Sequence, residues 1–168
     1  MRVAFDQVAG RRTRVLLAGD PAAPAIVLLH GVGTMAERWL RNIEALSAHG
    51  QVLAPDLWNN GFSDDLQAGD PAPALAHVQQ VVGLLGQRGV RRCVVVGSSY
   101  GGQVAALTAL AHPELVAGLV VVGSGSALHT PEKQVPVLHA VKANAMQAIE
   151  EGTAARIDEA MKFAGLIN

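Results

Sequence analysis

The chain has 168 residues, of which 50% are hydrophobic and 16% are charged, and its formal net charge is −1. It is too apolar and too weakly charged for a disordered chain, and its length fits one domain with a sizeable core. The near-zero charge argues against nucleic acids and acidic membranes as partners. The one cysteine, Cys93, excludes an internal disulfide and a cysteine-based zinc cage, so we expect a buried structural thiol there.

The sequence predicts a cytoplasmic protein without a membrane partner. Its first residues lack the apolar region of a signal peptide. The longest uncharged apolar stretch, 115–123, is far shorter than the ~20 residues that a membrane helix needs. The cations Arg11, Arg12 and Arg14 form a small basic cluster, which we expect to be solvated on a turn.

Short β-type segments alternate along the chain with longer helix-type segments, which is typical of a mostly parallel α/β sheet. The sequence predicts strands over 2–8 and 13–18 (a hairpin at Ala9-Gly10), 25–30, 51–55, 92–97 and 116–123. It predicts helices over 37–49, 73–88 and 100–112, with a polar loop over 56–73. From 137 to 163 the helical spacing predicts two further helices outside this alternation.

The motif Gly97-Ser98-Ser99-Tyr100-Gly101-Gly102 lies between a predicted strand and a predicted helix. Its G-x-S-x-G spacing is that of a nucleophile elbow, which holds Ser99 in a strained turn and needs glycines on both sides. A dinucleotide site would need glycine at Ser99, and a P-loop would need lysine after Gly102, so neither pattern fits. The alternative to an elbow is a tight strand-to-helix turn with an incidental serine.

A second motif, His30-Gly31-Val32-Gly33, directly follows a buried-type strand. A glycine loop at this place lets backbone N–H groups face the oxyanion that forms when an acyl bond is attacked. We predict that the backbone N–H groups of Val32 and Tyr100 are the two donors. For the His30 side chain we expect hydrogen bonds that hold its own loop rather than acid–base chemistry. A third motif is the polar loop over 54–64 that follows the next strand, in which Asp56 is expected to cap or brace the turn.

In this order and spacing the three motifs resemble the α/β-hydrolase superfamily, and specifically its small esterase-like members. The resemblance implies an α/β-hydrolase-type, mostly parallel sheet flanked by helices, truncated after the sixth strand. It implies a core over 1–130, followed over 131–168 by the start of a helical lid. It also implies a serine nucleophile and an oxyanion hole, with no cofactor and no metal. The residues concerned are Ser99 as nucleophile, Val32 and Tyr100 as oxyanion donors, and His30, Gly31, Gly97 and Gly101 as structural support.

The other half of the catalytic machinery is expected to be missing. In this superfamily the chain order is serine, acid, histidine, and the sequence stops at Asn168, within the apparent lid. No carboxylate follows strand 116–123, where the residues are Ser124-Gly125-Ser126. The remaining histidines are expected on the lid side or in surface or structural positions; these are His129 and His139 on the lid side, and His49, His77 and His112 on the predicted helices. We therefore expect the isolated chain to show little or no turnover.

Two functional interpretations follow from these residues. The first is a serine hydrolase that acts on an ester or related acyl bond of a small molecule. The second is a non-catalytic binding or interaction module, or an inactive fragment, that kept the shape of the site. Trp39 and Trp58 belong either to an apolar substrate wall or to the core. Strand 116–123 would form an uncharged sheet edge without proline, which favours self-association.

Overall fold

The computed structural model describes residues 1–124. Six strands form one sheet, namely β1 (Arg2–Val8), β2 (Arg11–Ala18), β3 (Ala25–Leu29), β4 (Gln51–Pro55), β5 (Cys93–Ser98) and β6 (Val116–Val122). Three α-helices accompany them, namely α1 (Leu40–Ser47), α2 (Pro73–Gln87) and α3 (Tyr100–Ala111), and a short 3₁₀ helix (Ala36–Trp39) precedes α1. Within 1–124, none of these helices has the length and apolar character needed to cross a bilayer. The predicted boundary at 130 and the predicted helices over 137–163 lie outside the described residues.

The strand order is β1-β2-β4-β3-β5-β6, so the sheet has its topological switch point between β3 and β5. From β3 the chain crosses to β4 on one side, whereas β5 pairs with β3 on the other side. The pairs from β4 to β6 are parallel, and β1–β2 and β2–β4 are antiparallel. Ligands of open α/β sheets bind outside the carboxyl ends of the strands at such a switch point. The loops after β3 and β5 therefore define the place to look for a site.

Alternating side chains of the central strands build one core on each face of the sheet. In β3, Val27 and Leu29 point to the face covered by α2 and α3, and Leu28 points to the face covered by the 3₁₀ helix and α1. Trp58 is buried in the first core and Trp39 in the second. Both tryptophans are therefore core residues, which decides between the two placements that the sequence left open.

The helix predicted over 37–49 is instead a 3₁₀ turn followed by α1. Met35 precedes it without a side-chain cap, and the first turn closes by an i→i+3 bond from the Arg38 N–H to the Met35 carbonyl at 3.0 Å. The buried thiol expected at Cys93 is present at the start of β5. Burial raises the pKa of this thiol to about 11, so it is not a reactive thiolate.

The two edges of the sheet differ in chemistry. Edge strand β1 carries charge, and its Asp6 carboxylate pairs with Arg88 at the end of α2 at 2.7 Å. Edge strand β6 has no charged residue, and its one neighbouring strand within residues 1–124 is β5. Leu119, Val120 and Val122 of β6 are exposed. The described part of the sheet thus ends in an apolar, unprotected edge.

Candidate active site

Ser99 lies at the turn between β5 and α3 in a backbone conformation that serine rarely adopts. Its φ is 53° and its ψ is −120°, which places it in the left-handed region where side chains are strained. The turn is held on both sides, since the Ser99 N–H donates to the Val122 carbonyl and the Gly102 N–H donates to the Ser99 carbonyl, each at 2.9 Å. Ser99 is exposed, and its hydroxyl has no hydrogen-bond partner within residues 1–124.

This turn requires glycine at three positions, because a Cβ at any of them would collide with neighbouring atoms. A Cβ on Gly97 would collide with the backbone of Gly101, and one on Gly101 would collide with the carbonyl oxygens of Leu29 and His30. A Cβ on Gly102 would lie 2.6 Å from the Cβ of Ser124. Gly97 and Gly101 are therefore required sterically for β5, α3 and the loop after β3 to approach one another, and Gly102 is required for α3 to approach the end of β6.

The His30–Gly33 loop runs directly beside Ser99. A Cβ on Gly31 would lie 3.2 Å from the Ser99 Cβ and 3.7 Å from its Oγ. The next residue, Val32, is 67% exposed, and Gly33 has a φ of 67°, which favours glycine. Within residues 1–124 the backbone N–H groups of Val32 and Tyr100 donate no hydrogen bond. Two free backbone donors thus flank the Ser99 turn.

The His30 side chain is fully buried and joins its loop to the next one. Its Nε2 accepts a hydrogen bond from the Leu57 N–H at 2.9 Å, so the ring proton is on Nδ1, which donates to the Gly31 carbonyl at 2.8 Å. Burial is the main cause that lowers the pKa of His30. The neutral ring holds the loop in place, and neither of its nitrogens is available to Ser99.

The carboxylate of Asp56 is fully buried and accepts three hydrogen bonds. The donors are the Ala36 N–H at 2.8 Å, the Phe62 N–H at 2.9 Å and the Arg14 guanidinium at 3.1 Å. Gly61, at a φ of 57°, approaches this carboxylate so closely that a Cβ would overlap it. Asp56 therefore braces the loops after β3 and β4 and does not face Ser99.

Arg14 is buried between these loops, and Arg11 and Arg12 also lie in strand β2. The expectation of a solvated turn is therefore wrong in its placement of all three arginines and in the exposure of Arg14. Its guanidinium forms ion pairs with Asp56 and, through both terminal nitrogens, with Glu37. The bidentate bonds from Arg14 hold the pKa of Glu37 below its usual range. Strand β2 also begins at Arg11 rather than at residue 13, because Arg11 already pairs with Val8 in the hairpin.

A further buried link joins α2 to the Ser99 turn, and sequence patterns gave no sign of it. His77 on α2 hydrogen-bonds the Trp58 carbonyl through Nε2 at 3.0 Å and the Tyr100 hydroxyl through Nδ1 at 2.7 Å. Gln80, one turn further on, binds the Trp58 N–H and the Asp56 carbonyl. The partners lie about twenty positions apart in sequence, beyond the reach of any local motif.

The structure brings together Ser99, Gly31, Gly97 and Gly101, with the N–H groups of Val32 and Tyr100 beside them. It does not bring a histidine or a carboxylate into hydrogen-bond distance of the Ser99 hydroxyl within residues 1–124. The ring nitrogens of His30 and His77 are bound elsewhere, and His112 lies 3.4 Å from Glu114 at the end of α3. His129, His139 and Ser126 lie outside the described residues.

Comparison with known proteins agrees with this geometry. A family model described as "alpha/beta hydrolase fold" matches residues 24–162. The chain is 35% identical over 134 residues to Epoxide hydrolase A of Mycobacterium tuberculosis, covering 79% of this chain and 41% of that protein. It is 36% identical over 137 residues to the sn-1-specific diacylglycerol lipase ABHD11 of Mus musculus, covering 80% of this chain and 42% of that protein.

Among solved structures, Epoxide Hydrolase A from Mycobacterium thermoresistibile superposes with a TM-score of 0.71 at 27% identity, over 82% of this chain and 44% of that one. The chain thus spans less than half the length of the relatives that it matches. These relatives are all named as hydrolytic enzymes, but their names specify different bonds, an epoxide in one case and a diacylglycerol ester in another. They therefore share hydrolysis and do not share a substrate. On its matched sequence, its sheet order and its strand-to-helix turn, the chain belongs to the α/β-hydrolase family.

Proposed function

We propose that this chain carries the nucleophile and the oxyanion hole of a hydrolase that cleaves an ester or related acyl bond. Ser99 is the nucleophile, and the backbone N–H groups of Val32 and Tyr100 are the oxyanion donors. One observation carries the proposal: an exposed serine is held at positive φ at the switch point of the sheet, beside two N–H groups that bond to no acceptor among the described residues. Strain of this kind persists where the surrounding structure fixes it, commonly at active sites.

In the proposed reaction the Ser99 oxygen attacks the acyl carbon and forms a C–O bond, while the carbonyl π electrons move to the acyl oxygen. The two N–H groups stabilise this oxyanion, and loss of one such donor typically slows catalysis by about 10²–10³-fold. Collapse of the tetrahedral intermediate expels the leaving alkoxide and leaves the acyl group on Ser99. Water then attacks the acyl carbon and releases the acid, which restores the serine hydroxyl.

The proton of Ser99 must pass to a general base, since a neutral serine hydroxyl is a weak nucleophile. His30 and His77 cannot take this role, because every ring nitrogen of both is engaged in another hydrogen bond. We therefore place the base and its orienting acid outside residues 1–124. Full turnover is proposed only for a protein that supplies both of these groups.

A serine at position 99 favours acyl bonds over the epoxides named for some relatives. If a hydroxyl opened an epoxide, the product would be an ether, which water does not hydrolyse, and the enzyme would remain blocked. Attack on an acyl carbon gives an ester on Ser99, which water does hydrolyse. The diacylglycerol lipase among the relatives is named for an acyl ester, which also supports this choice.

The proposed substrate is a small molecule with an apolar acyl group. Val32 and Met35 on the loop after β3, and Phe62 on the loop after β4, are exposed at the carboxyl ends of the strands. Phe62 is held there by the Arg14 guanidinium, whose carbon lies 5.0 Å from the centre of the ring. Exposed apolar side chains at this end of the sheet favour an apolar acyl group over a charged one.

The test is covalent modification of the 168-residue chain by p-nitrophenyl butyrate, which acylates serine, and by a fluorophosphonate, which phosphonylates it, followed by mass spectrometry. Nitrophenolate and fluoride leave without protonation, so neither reagent needs a general acid, and at alkaline pH hydroxide takes the Ser99 proton in place of the base that residues 1–124 do not supply. We expect one slow, stoichiometric adduct on Ser99 and little turnover. The adduct should disappear in Ser99→Ala and remain in Ser98→Ala, which changes the neighbouring serine of the same motif.

An adduct pattern that is the same in the wild-type chain and in Ser99→Ala would contradict the proposal. In that case the second interpretation, a binding or interaction module with the shape of the site but no nucleophile, takes its place. Rapid multiple turnover that Ser99→Ala abolishes would keep Ser99 as nucleophile. It would overturn the expectation that the isolated chain lacks a working base, and would locate that base within residues 125–168.

A further inference from the structure

His77 is a buried titratable residue that the proposed mechanism does not use. It lies in the first turns of α2 and is 3% exposed. The Trp58 carbonyl can only accept a hydrogen bond, so Nε2 of His77 donates to it at 3.0 Å. Nδ1 is therefore unprotonated and accepts from the Tyr100 hydroxyl at 2.7 Å. Burial lowers the pKa of His77 and raises that of Tyr100 to about 12, which keeps the ring neutral and the hydroxyl protonated.

Tyr100 is the other end of this link and directly follows Ser99. It is the first residue of α3, and its ring packs edge-on against His77 with 5.6 Å between ring centres and an interplanar angle of 83°. The ring also packs against the core under α2 and α3. The side chain of Tyr100 is thus fixed by α2, while its backbone N–H is one of the two proposed oxyanion donors.

We propose that His77 is a positioning residue for the Ser99 turn, an inference that rests on the proposed function. It fixes the Tyr100 side chain from α2, and through it the direction of the Tyr100 N–H and of the Ser99 hydroxyl. His77 is not a catalytic residue, because its ring contacts Trp58 and Tyr100 and not Ser99. The same ring also anchors the loop after β4, so α2, this loop and the Ser99 turn are aligned by one imidazole.

Four variants separate positioning from simple support of the fold. His77→Leu removes both hydrogen bonds at similar volume, and Tyr100→Phe removes the hydroxyl alone. His77→Gln retains an amide that both donates and accepts. Thr108→Val is the matched control, since it removes a buried hydroxyl bond at 2.8 Å within the same helix α3, away from the Ser99 turn.

The first readout is the rate of Ser99 phosphonylation by the fluorophosphonate, measured up to saturating reagent. We expect His77→Leu and Tyr100→Phe each to lower the limiting rate about fivefold to tenfold, the effect of one lost hydrogen bond, without changing the half-saturating concentration. The double variant should be no slower than the slower single variant, because both remove the same link. His77→Gln should recover most of the rate, and Thr108→Val should keep the wild-type rate.

The second readout does not depend on reactivity. Tyr100 is the only tyrosine in the chain, so ¹⁵N-tyrosine labelling gives one amide signal, that of the proposed donor itself. We expect this signal to shift in His77→Leu, to return towards its wild-type position in His77→Gln, and to stay in place in Thr108→Val. If neither reagent modifies Ser99 of the wild-type chain, the proposed function fails, and this amide signal still decides whether His77 positions Tyr100.

Two results would overturn the inference. One is a wild-type rate of phosphonylation in Tyr100→Phe together with an unmoved amide signal in His77→Leu. The other is a loss of rate that follows the loss of thermal stability across all four variants, with no recovery in His77→Gln, since that is what support of the fold alone would give. If His77→Leu does not fold, Tyr100→Phe and His77→Gln decide the same question.

Discussion

Gly31 lies against Ser99, and a methyl group at Gly31 would fit only if one of the two residues moved by a few tenths of an ångström. A Cβ at Gly31 would be 3.2 Å from the Ser99 Cβ, and Ser99 cannot yield, because its φ of 53° and its bond to Val122 fix the turn. We expect Gly31→Ala to displace the loop after β3, and with it the Val32 N–H. Acylation of Ser99 should slow by at least about tenfold, since misplacing an oxyanion donor is costly.

The matched control for Gly31→Ala is Gly86→Ala on α2, where a Cβ would have no atom within 4 Å. Alanine is favoured over glycine in a helix by about 1 kcal/mol, so this variant should unfold at a higher temperature and acylate at the wild-type rate. Wild-type acylation in Gly31→Ala would contradict the placement of the oxyanion hole at Val32.

Arg14 is expected to contribute far more to stability than its neighbour Arg12. Arg14→Met leaves the buried carboxylate of Asp56 without its cation, and losing one partner of a buried pair costs about 3 kcal/mol or more. Arg12 pairs with Asp64 at the surface at 3.3 Å, and Arg12→Met should cost less than about 1 kcal/mol. Urea unfolding of the two variants measures the difference, and equal losses would mean that the Arg14–Asp56 pair does not brace the loops.

Stability is expected to fall as the pH drops below the ordinary histidine pKa of about 6.5. Burial lowers the pKa values of His30 and His77, so below pH ~6.5 the unfolded chain binds more protons than the folded chain. The two neutral rings therefore contribute fully to the free energy of unfolding above that pH. This contribution is lost as the pH falls towards the pKa values that the two histidines have in the folded protein. Each ring changes the free energy of unfolding by up to about 1.4 kcal/mol per pH unit in this range.

Urea unfolding between pH 7.5 and 5.5 tests this slope above the range where most carboxylates titrate. His77→Gln should remove one ring's share, whereas Thr108→Val, which replaces no titratable group, should leave the slope unchanged. A free energy of unfolding that is flat over this range in the wild-type chain would contradict the neutral, hydrogen-bonded state of both rings.

Local patterns predicted much of the fold because they follow from sterics and periodicity within a few residues. The predicted strand 51–55 agrees with β4, and the prediction for 92–97 is displaced by one residue from β5, Cys93–Ser98. The glycine spacing around Ser99 predicted the strained turn, since a Cβ at Gly97 or Gly101 meets backbone atoms. The motif carries this information because the turn is short and crowded.

Other features depend on partners far along the chain, and no local pattern contains them. Arg14 appeared to belong to an exposed basic cluster, but its acids Glu37 and Asp56 lie 23 and 42 positions away. The bond from His77 to Tyr100 spans 23 positions. Only the sheet order, which brings the ends of β3, β4 and β5 together, creates these contacts, so they required the three-dimensional structure.

The edge of β6 is expected to make the 168-residue chain self-associate. The last strand of the described sheet, β6, has seven residues, none of them charged or proline. Val120 and Val122 of this strand are 46% and 50% exposed. An unpaired apolar edge strand offers its N–H and C=O groups to another chain. We expect light scattering to show oligomers that increase with concentration, and Val120→Lys to shift the chain towards monomer, because a lysine on an edge strand opposes pairing.

The opposite edge provides the control. Val3 on β1 is 52% exposed, similar to Val120, but β1 already carries Arg2 and Asp6 and is tied to α2 by the Arg88–Asp6 pair. Val3→Lys should therefore leave the association unchanged while adding the same charge to the chain. A monomer at all concentrations in the wild-type chain, or equal effects of the two lysines, would mean that β6 is not the associating edge. A response confined to Val120→Lys would assign association to the edge that lacks charged residues.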